Sequence, residues 1–163
     1  MNNPESLIRA LEDAPGIIIP LIHEMPPENL KRRPSPNKWS AHEHACHLAD
    51  VDTLYRSRLE LMLSDPAPYI RGVSPTPEEE AGSLLKLDLE TALERYARDR
   101  IHLVERLRML SAEDWQRTAE HEELSHYSVF IMFRQLWLHE VFHAYRVEEL
   151  ALKKDWPSTT SQN

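Results

Sequence analysis

Residues 137–145 read WLHEVFHAY, and the residues just beyond them decide between a protease-like helix and one rod of a helical bundle. The stretch contains His139-Glu140-x-x-His143, a spacing that puts two imidazoles on one face of a helix about a turn apart. Metalloproteases with this spacing hold zinc through three protein ligands and a water. In their extended motif a glycine turn after the second histidine brings the chain back with a third ligand. Here the continuation is Ala144-Tyr145-Arg146-Val147-Glu148-Glu149. Arg146 stands where the glycine would be, and Glu149 lies farther along the same rod, out of reach. No edge strand on which a peptide substrate could lie is legible either. The protease reading fails on geometry, and a third ligand has to come from another helix.

The rest of the chain supplies other helices. Of 163 residues only three are glycine, and the twelve prolines cluster between apolar-periodic segments. Alternating Val/Ile/Thr runs bounded by Asn-Gly or Asp-Gly turns are missing, so the pattern predicts an all-α domain. A first helix is expected over 4–25, with Pro4 in its opening turn and Pro15 and Pro20 kinking or interrupting it. A proline-punctuated connection follows over 26–37. Ser40, with Glu43 three residues on, forms a capping box that opens a second helix running to Ser64, before Asp65-Pro66. Its core stripe reads His47, Val51, Leu54, Arg58 and Leu61. A proline-rich loop over 66–77 leads to one long helix over 78–110, in which Gly82 is the place where a break would fall. Ser111 caps a short acidic turn, 119–128 is polar, and the last helix spans 129–153. Four long helices with mixed connections predict a four-helix bundle, one domain over 1–155, followed by a disordered tail over 156–163.

Met132, Leu136 and Leu150 share the face of His139 and His143, which places the histidine pair inside an apolar stripe. Metal sites in bundles are built from facing helices, and His47, on the inward stripe of the second helix, is the candidate third corner. His44 shares part of that face but sits a turn nearer the helix start, while His42 and Cys46 point more to the side. His42 and His44 are expected to be solvated first-turn residues, Cys46 a small buried filler, and His102 a surface residue. A reading in which the histidines are polar core residues and hold no metal stays open.

The formal charge is −8 and the pI about 5.6. Nucleic-acid affinity comes mostly from Lys and Arg neutralising phosphates, which disfavours such a partner. Lys31-Arg32-Arg33 is read as a solvated turn. One cysteine permits no internal disulfide, so nothing requires an oxidising compartment. The N-terminal MNNPESLIRALEDAPG lacks the basic-then-apolar pattern of a signal peptide. The most apolar run, GIIIPLI over 16–22, is too short to cross a bilayer. A soluble cytoplasmic protein acting on a small molecule, without nucleic-acid or membrane partners, is expected.

Taken in order, the pieces resemble a known family. Trp39-Ser40 precedes a helix carrying His47-Leu48-Ala49-Asp50, followed by a proline-rich loop, a long helix, the segment Leu110-Ser111-x-x-Asp114-Trp115 leading to His121, and a last helix with HExxH. This arrangement resembles the DinB-like (YfiT-like) superfamily from the first helix to about Leu152. The resemblance implies a four-helix bundle holding a divalent metal through three histidines, which fall on His47, His139 and His143. Zinc, nickel or iron would suit such ligands. Homodimers are implied as well. Two positions depart from the pattern. Arg146 stands where many members have glutamine, and His121 is followed by Glu122-Glu123-Leu124-Ser125-His126 rather than by a glycine.

Three protein ligands leave a metal with open positions, the mark of a catalytic site. One expected chemistry is thiol-dependent transfer, in which a low-molecular-weight thiol co-substrate is bound as thiolate; the family resemblance supports this class. The other is hydrolysis of an ester or amide, with Glu140 as catalytic base. Glu140 could equally orient His47 or be a surface carboxylate. A non-catalytic metal- or small-molecule-binding bundle is the alternative. Tyr55, Arg58 and Trp137 are candidate pocket liners from their helical faces.

Overall fold

The computed structural model describes residues 3–156. In chain order it contains α1 (Pro4–His23), α2 (Pro27–Leu30), α3 (Ala41–Ser64), β1 (Tyr69–Ile70), α4 (Pro77–Glu80), a 3-10 turn (Ser83–Lys86), α5 (Leu89–Arg108), α6 (Ala112–Gln116), β2 (Glu120–His121) and α7 (Val129–Ala151). Each long helix begins at a side chain that accepts an otherwise orphaned backbone amide: Asn3 for α1, Ser40 for α3, Asp88 for α5 and Ser128 for α7. The predicted Ser40–Glu43 capping box is complete. The two strands pair in parallel, with Tyr69 opposite Glu120 and Ile70 opposite His121. The expected tail lies outside the described residues, apart from Trp156.

Three expectations about the helices need correction. The segment 78–110 is not one rod. Gly82 adopts φ +96°, a left-handed conformation that favours glycine, and the chain restarts at Asp88. The α3 stripe expected from the sequence is only partly in the core. Val51 is buried as expected, but Leu61 is exposed, and Ala41, Ala45, Leu48, Leu59 and Met62 also pack inward. Pro15 and Pro20, expected to disturb the first helix, lie within a continuous α1.

The reason Pro15 is tolerated lies in what surrounds it. A proline has no N–H, so the Leu11 carbonyl four residues earlier loses its helical partner. Buried Arg100 replaces that partner, its Nη1 donating to Leu11 O at 2.7 Å. The same guanidinium donates from Nε and Nη2 to both oxygens of Asp52 at 2.9 and 2.8 Å, and from Nη1 and Nη2 to Glu140. Tyr96 completes the cluster by donating its hydroxyl to Glu140 at 3.0 Å. All five N–H groups of Arg100 are thus engaged, with partners on α1, α3 and α7. Burial pushes the Asp52 and Glu140 carboxyls up, because one guanidinium only partly offsets two desolvated carboxylates. On Arg100 burial disfavours the charge, but Glu140 and Asp52 outweigh it and hold its pKa above the ordinary value.

This polar layer divides the core into two apolar halves, which gives the topology. One half draws on Leu7 and Leu11 of α1, Leu59 and Met62 of α3, Leu103 and Leu107 of α5, and Met132 and Leu136 of α7. The other draws on Ile18 and Ile22, Ala45 and Leu48, Leu93 and Tyr96, and Val147 and Leu150. Along α1 and α7 the chain therefore runs from the first half to the second, and along α3 and α5 from the second to the first. α3 packs on α5 and α7, and α1 packs on the same two helices, so α1 and α3 occupy one diagonal. Consecutive long helices α3 and α5 are parallel. Residues 65–88 must travel back along the bundle to join them, and this return segment walls one side of the site.

Two smaller expectations also change. Lys31 and Arg33 are not simply solvated. Lys31 Nζ donates to Leu85 O at 3.0 Å. Arg33 binds the fully buried Glu43 carboxylate and the main-chain oxygens of Pro36 and Glu80, clipping the return segment to the start of α3. Cys46 is buried as expected, and burial pushes its thiol up to about 11. Among the described residues no helix is long and apolar enough to cross a membrane.

Candidate metal centre

One imidazole from α3 and two from α7 meet at the level of the polar layer. His139 and His143 lie on one side of α7, as their spacing requires. His47 faces them because α3 packs directly on α7. His47 Nε2 is 3.3 Å from His139 Nε2, and His143 Nε2 is 2.9 Å from the same atom. One ligand nitrogen from each of the three lies within 4.8 Å of the others. The structure thus brings together the three residues singled out in the sequence.

The chemistry of this donor set fits a cation. A neutral imidazole nitrogen has one in-plane hydrogen or one lone pair, so His139 Nε2 cannot satisfy both close contacts through hydrogen bonds. Three lone pairs directed at one ion remove the conflict. With metal–nitrogen bonds of ~2.0–2.1 Å, tetrahedral ligand atoms lie roughly 3.4 Å apart, which the 3.3 Å His47–His139 separation matches and the 2.9 Å His143–His139 separation approaches from below.

Burial keeps these rings neutral, the form that ligates. It lowers His44 and His139 to about 4 each; Arg146 adds to the effect on His44, and for both rings the cost of sharing the site with a second protonated imidazole, His47, acts in the same direction. His47 is lowered by burial against the opposing pull of Glu79, and His143 far more, by burial and by three neighbouring histidines. In metal-free protein the consequence for stability has a definite sign. The folded pKa of His139 lies below the ordinary value near 6.5, so its contribution is complete above about pH 6.5. It is lost as pH falls toward 4, because the unfolded chain takes up the proton first. Asp52 and Glu140, raised by burial, work in the opposite sense, so the effect is best isolated by comparison with a variant. Between pH 7.5 and 5, chelator-treated wild type should lose about 2 kcal/mol more than His139→Leu, from roughly 1.5 pH units at about 1.4 kcal/mol each. Urea unfolding of both proteins measures this, and parallel pH profiles would contradict it.

The histidines open onto a cleft of about 870 Å³. Trp39, Val51, Leu54, Tyr55 and Phe142 give it apolar walls, and Arg58, Arg146 and Glu79 add charge. The Trp39 ring lies 4.9 Å from that of His47 and 6.0 Å from that of His143. The capping box fixes the backbone next to it. Glu79 comes from the return segment, with Oε1 3.9 Å from His47 Nδ1 and Oε2 accepting the Thr76 amide. Arg146 pairs with Glu149 at 2.5 Å, and Glu43, a second carboxylate near the start of α3, is taken by Arg33. His121 also lines the cleft. Its ring lies 4.5 Å from that of Tyr127, and its Nδ1 accepts the Glu123 amide.

The remaining site expectations divide. Tyr55 and Arg58 line the cleft as anticipated. Trp137 does not; it faces a separate apolar hollow of about 430 Å³ between α1 and α7. The role of base expected for Glu140 is corrected. One residue along a helix turns the side chain by about 100°, which directs Glu140 away from His139 into the polar layer, where Arg100 and Tyr96 occupy its oxygens. His42 and His44 are not solvated. Both are buried, His42 Nε2 lying 3.2 Å from Leu84 O and His44 Nδ1 2.7 Å from His143 Nδ1. The burial of His42 has no sequence signal, because the return segment that covers it lacks a periodic pattern to reveal where it packs, whereas His44, which shares part of the inward face, is buried against α7 and Trp39.

Comparison with known proteins is consistent with this geometry. Residues 10–145 match the family model described as the DinB superfamily. No curated protein gives a sequence match. Among solved structures, YfiT from Bacillus subtilis, described as a probable metal-dependent hydrolase with an unusual four-helix bundle topology, is similar at 19% identity and a TM-score of 0.76. The match covers 94% of this chain and 89% of that one. The DinB-like protein YjoA, also from Bacillus subtilis, is similar at 12% identity and a TM-score of 0.61, covering 94% and 96%.

Proposed function

Starting from the DinB superfamily, to which this chain belongs, we propose a metal-dependent enzyme that hydrolyses a small ester or amide, with His47, His139 and His143 as ligands. The observation that carries the reading is the convergence of three neutral imidazoles, two of whose contacts fall on His139 Nε2. When bound, the ion would supply Lewis acidity, polarising a carbonyl and acidifying a water or thiol that reaches it. The residues of the chain do the rest. Trp39 and Phe142 shield the histidines from bulk water, and the apolar wall of Val51, Leu54 and Tyr55 receives the body of the substrate. Arg58 and Arg146 offer donors to a carbonyl or anionic group, and Glu79 places negative charge beside His47. The described YfiT activity points the same way.

Thiol-dependent transfer is the second reading, and one observation favours it. The carboxylate adjoining the ligand pair in sequence is withdrawn into the polar layer, and a thiolate nucleophile needs no protein base. The same cleft would then hold the thiol co-substrate. A homodimer in the cytoplasm fits either reading.

Metal analysis of protein purified without an affinity tag, joined to a panel of esters, amides and electrophiles assayed with and without added thiol, tests both. About one divalent ion per chain and ester turnover independent of thiol are expected. Turnover only with thiol present would move the assignment to transfer. Absence of both ion and turnover would overturn it.

A further inference from the structure

We infer that His44 is a positioning residue for the metal site: its Nδ1 accepts the Nδ1 proton of His143 and so holds the His143 ring with Nε2 turned toward the ion. The inference rests on the reading of His47, His139 and His143 as ligands. It follows from a 2.7 Å contact between the two Nδ1 atoms, which requires one of them to carry hydrogen and the other a lone pair. His143 Nε2 faces His139 and His47, so its lone pair is committed to the ion. A neutral His143 must then carry its proton on Nδ1, and His44 must be the acceptor, with its own proton on Nε2.

The surroundings hold His44 in that role. It is 7% exposed, and its ring lies 4.9 Å from that of His143 and 5.5 Å from that of Trp39. His44 and His47 stand three residues apart on α3, so one helix presents both a ligand and the support for a ligand on α7. The other two rings lack an equivalent contact. His139 Nδ1 is buried with no hydrogen-bond partner among the described residues, and His47 Nδ1 reaches Glu79 only at 3.9 Å. His143 is therefore the ring whose outer nitrogen is fixed. A neutral acceptor adds no negative charge, leaving the ion more electrophilic than a carboxylate in the same place would. Outer partners of metal-bound histidines typically contribute about 10–100-fold to affinity.

The test compares zinc affinity, by chelator competition, in wild type, His44→Phe and His44→Asn. The Asn side-chain oxygen can occupy the place of the imidazole Nδ1. His44→Phe should bind zinc roughly 10–100-fold more weakly, and His44→Asn should recover most of the loss. In zinc-loaded wild type, ¹⁵N NMR should show a coupling between His143 Nδ1 and His44 Nδ1 across the hydrogen bond, a signature that mere packing would not give. Equal affinity in all three proteins, or no coupling in the loaded wild type, overturns the role of His44 and leaves the three-histidine site intact. A cobalt spectrum whose coordination number changes in His44→Phe also overturns it, making His44 a direct ligand. Failure of wild type itself to bind zinc overturns the ligand assignment, and His44 with it.

Discussion

Replacing Arg100 with methionine should leave the protein unfolded or barely folded at 25 °C. The substitution strands two carboxylates, Asp52 at 2% and Glu140 at 1% exposure, and orphans the Leu11 carbonyl that Pro15 cannot satisfy. Removing one partner of a buried ion pair costs about 3–5 kcal/mol, an unpaired buried carbonyl about 1–3 kcal/mol more, and domains of this kind are stable by only about 5–15 kcal/mol. A combined variant provides an internal control. If the loss comes from stranded charge, adding Asp52→Leu, Glu140→Met and Tyr96→Phe to Arg100→Met should restore a cooperative urea transition, since an apolar layer of similar volume is often as stable as the ionic one. Adding Pro15→Ala should then gain roughly 1 kcal/mol by returning an N–H to Leu11 O. A single Arg100→Met variant with wild-type stability would contradict any structural role for the polar layer.

The second large effect concerns the ligands. His47→Ala or His139→Ala should weaken zinc binding by about 10²–10³-fold. Structural zinc sites with four ligands are worth about 10–16 kcal/mol, so each ligand accounts for about 2.5–4 kcal/mol, and each 1.4 kcal/mol is tenfold. Turnover should fall in proportion to the ion lost. In chelator, by contrast, either variant should be as stable as wild type or more so, because one of three crowded, desolvated imidazoles is gone. Chelator competition and urea unfolding separate the two effects. A variant that unfolds yet still binds zinc normally when folded would show that these rings serve packing instead.

Much of the site is legible in the sequence because its signals are local. The i, i+4 pair on α7 and a histidine on a clearly capped helix each report a face, and the failure of the protease motif sends the search to a second rod. The polar layer is harder to see, although its residues do leave a trace. Asp52, Arg100 and Glu140 each interrupt an apolar helical stripe, and three such interruptions of opposite charge on three helices are the pattern of a buried ionic network. Glu140 lies within the histidine motif, which draws it toward a role as base that its direction along the helix does not favour, since Arg100 and Tyr96 occupy its oxygens. Glu79 and Trp39 owe their places to the return segment and the connection before α3, whose packing has no periodicity to read, and His44 shares the inward face only in part, so its contact with His143 is not specified by spacing alone. The break of 78–110 shows the same limit: Gly82 marks one interruption, but the restart at Asp88 depends on where the returning chain meets α5.

The guanidinium at the centre of the bundle also fixes how far each rod may slide. Its five donors reach acceptors on three other helices, so displacing any one by a single turn, about 5.4 Å, separates a buried charge or carbonyl from its partner. Hydrophobic contacts alone tolerate such slippage, because leucine meets leucine one turn on. Axial alignment is therefore set here by charge, and it holds α3 and α7 at the heights where their histidines meet.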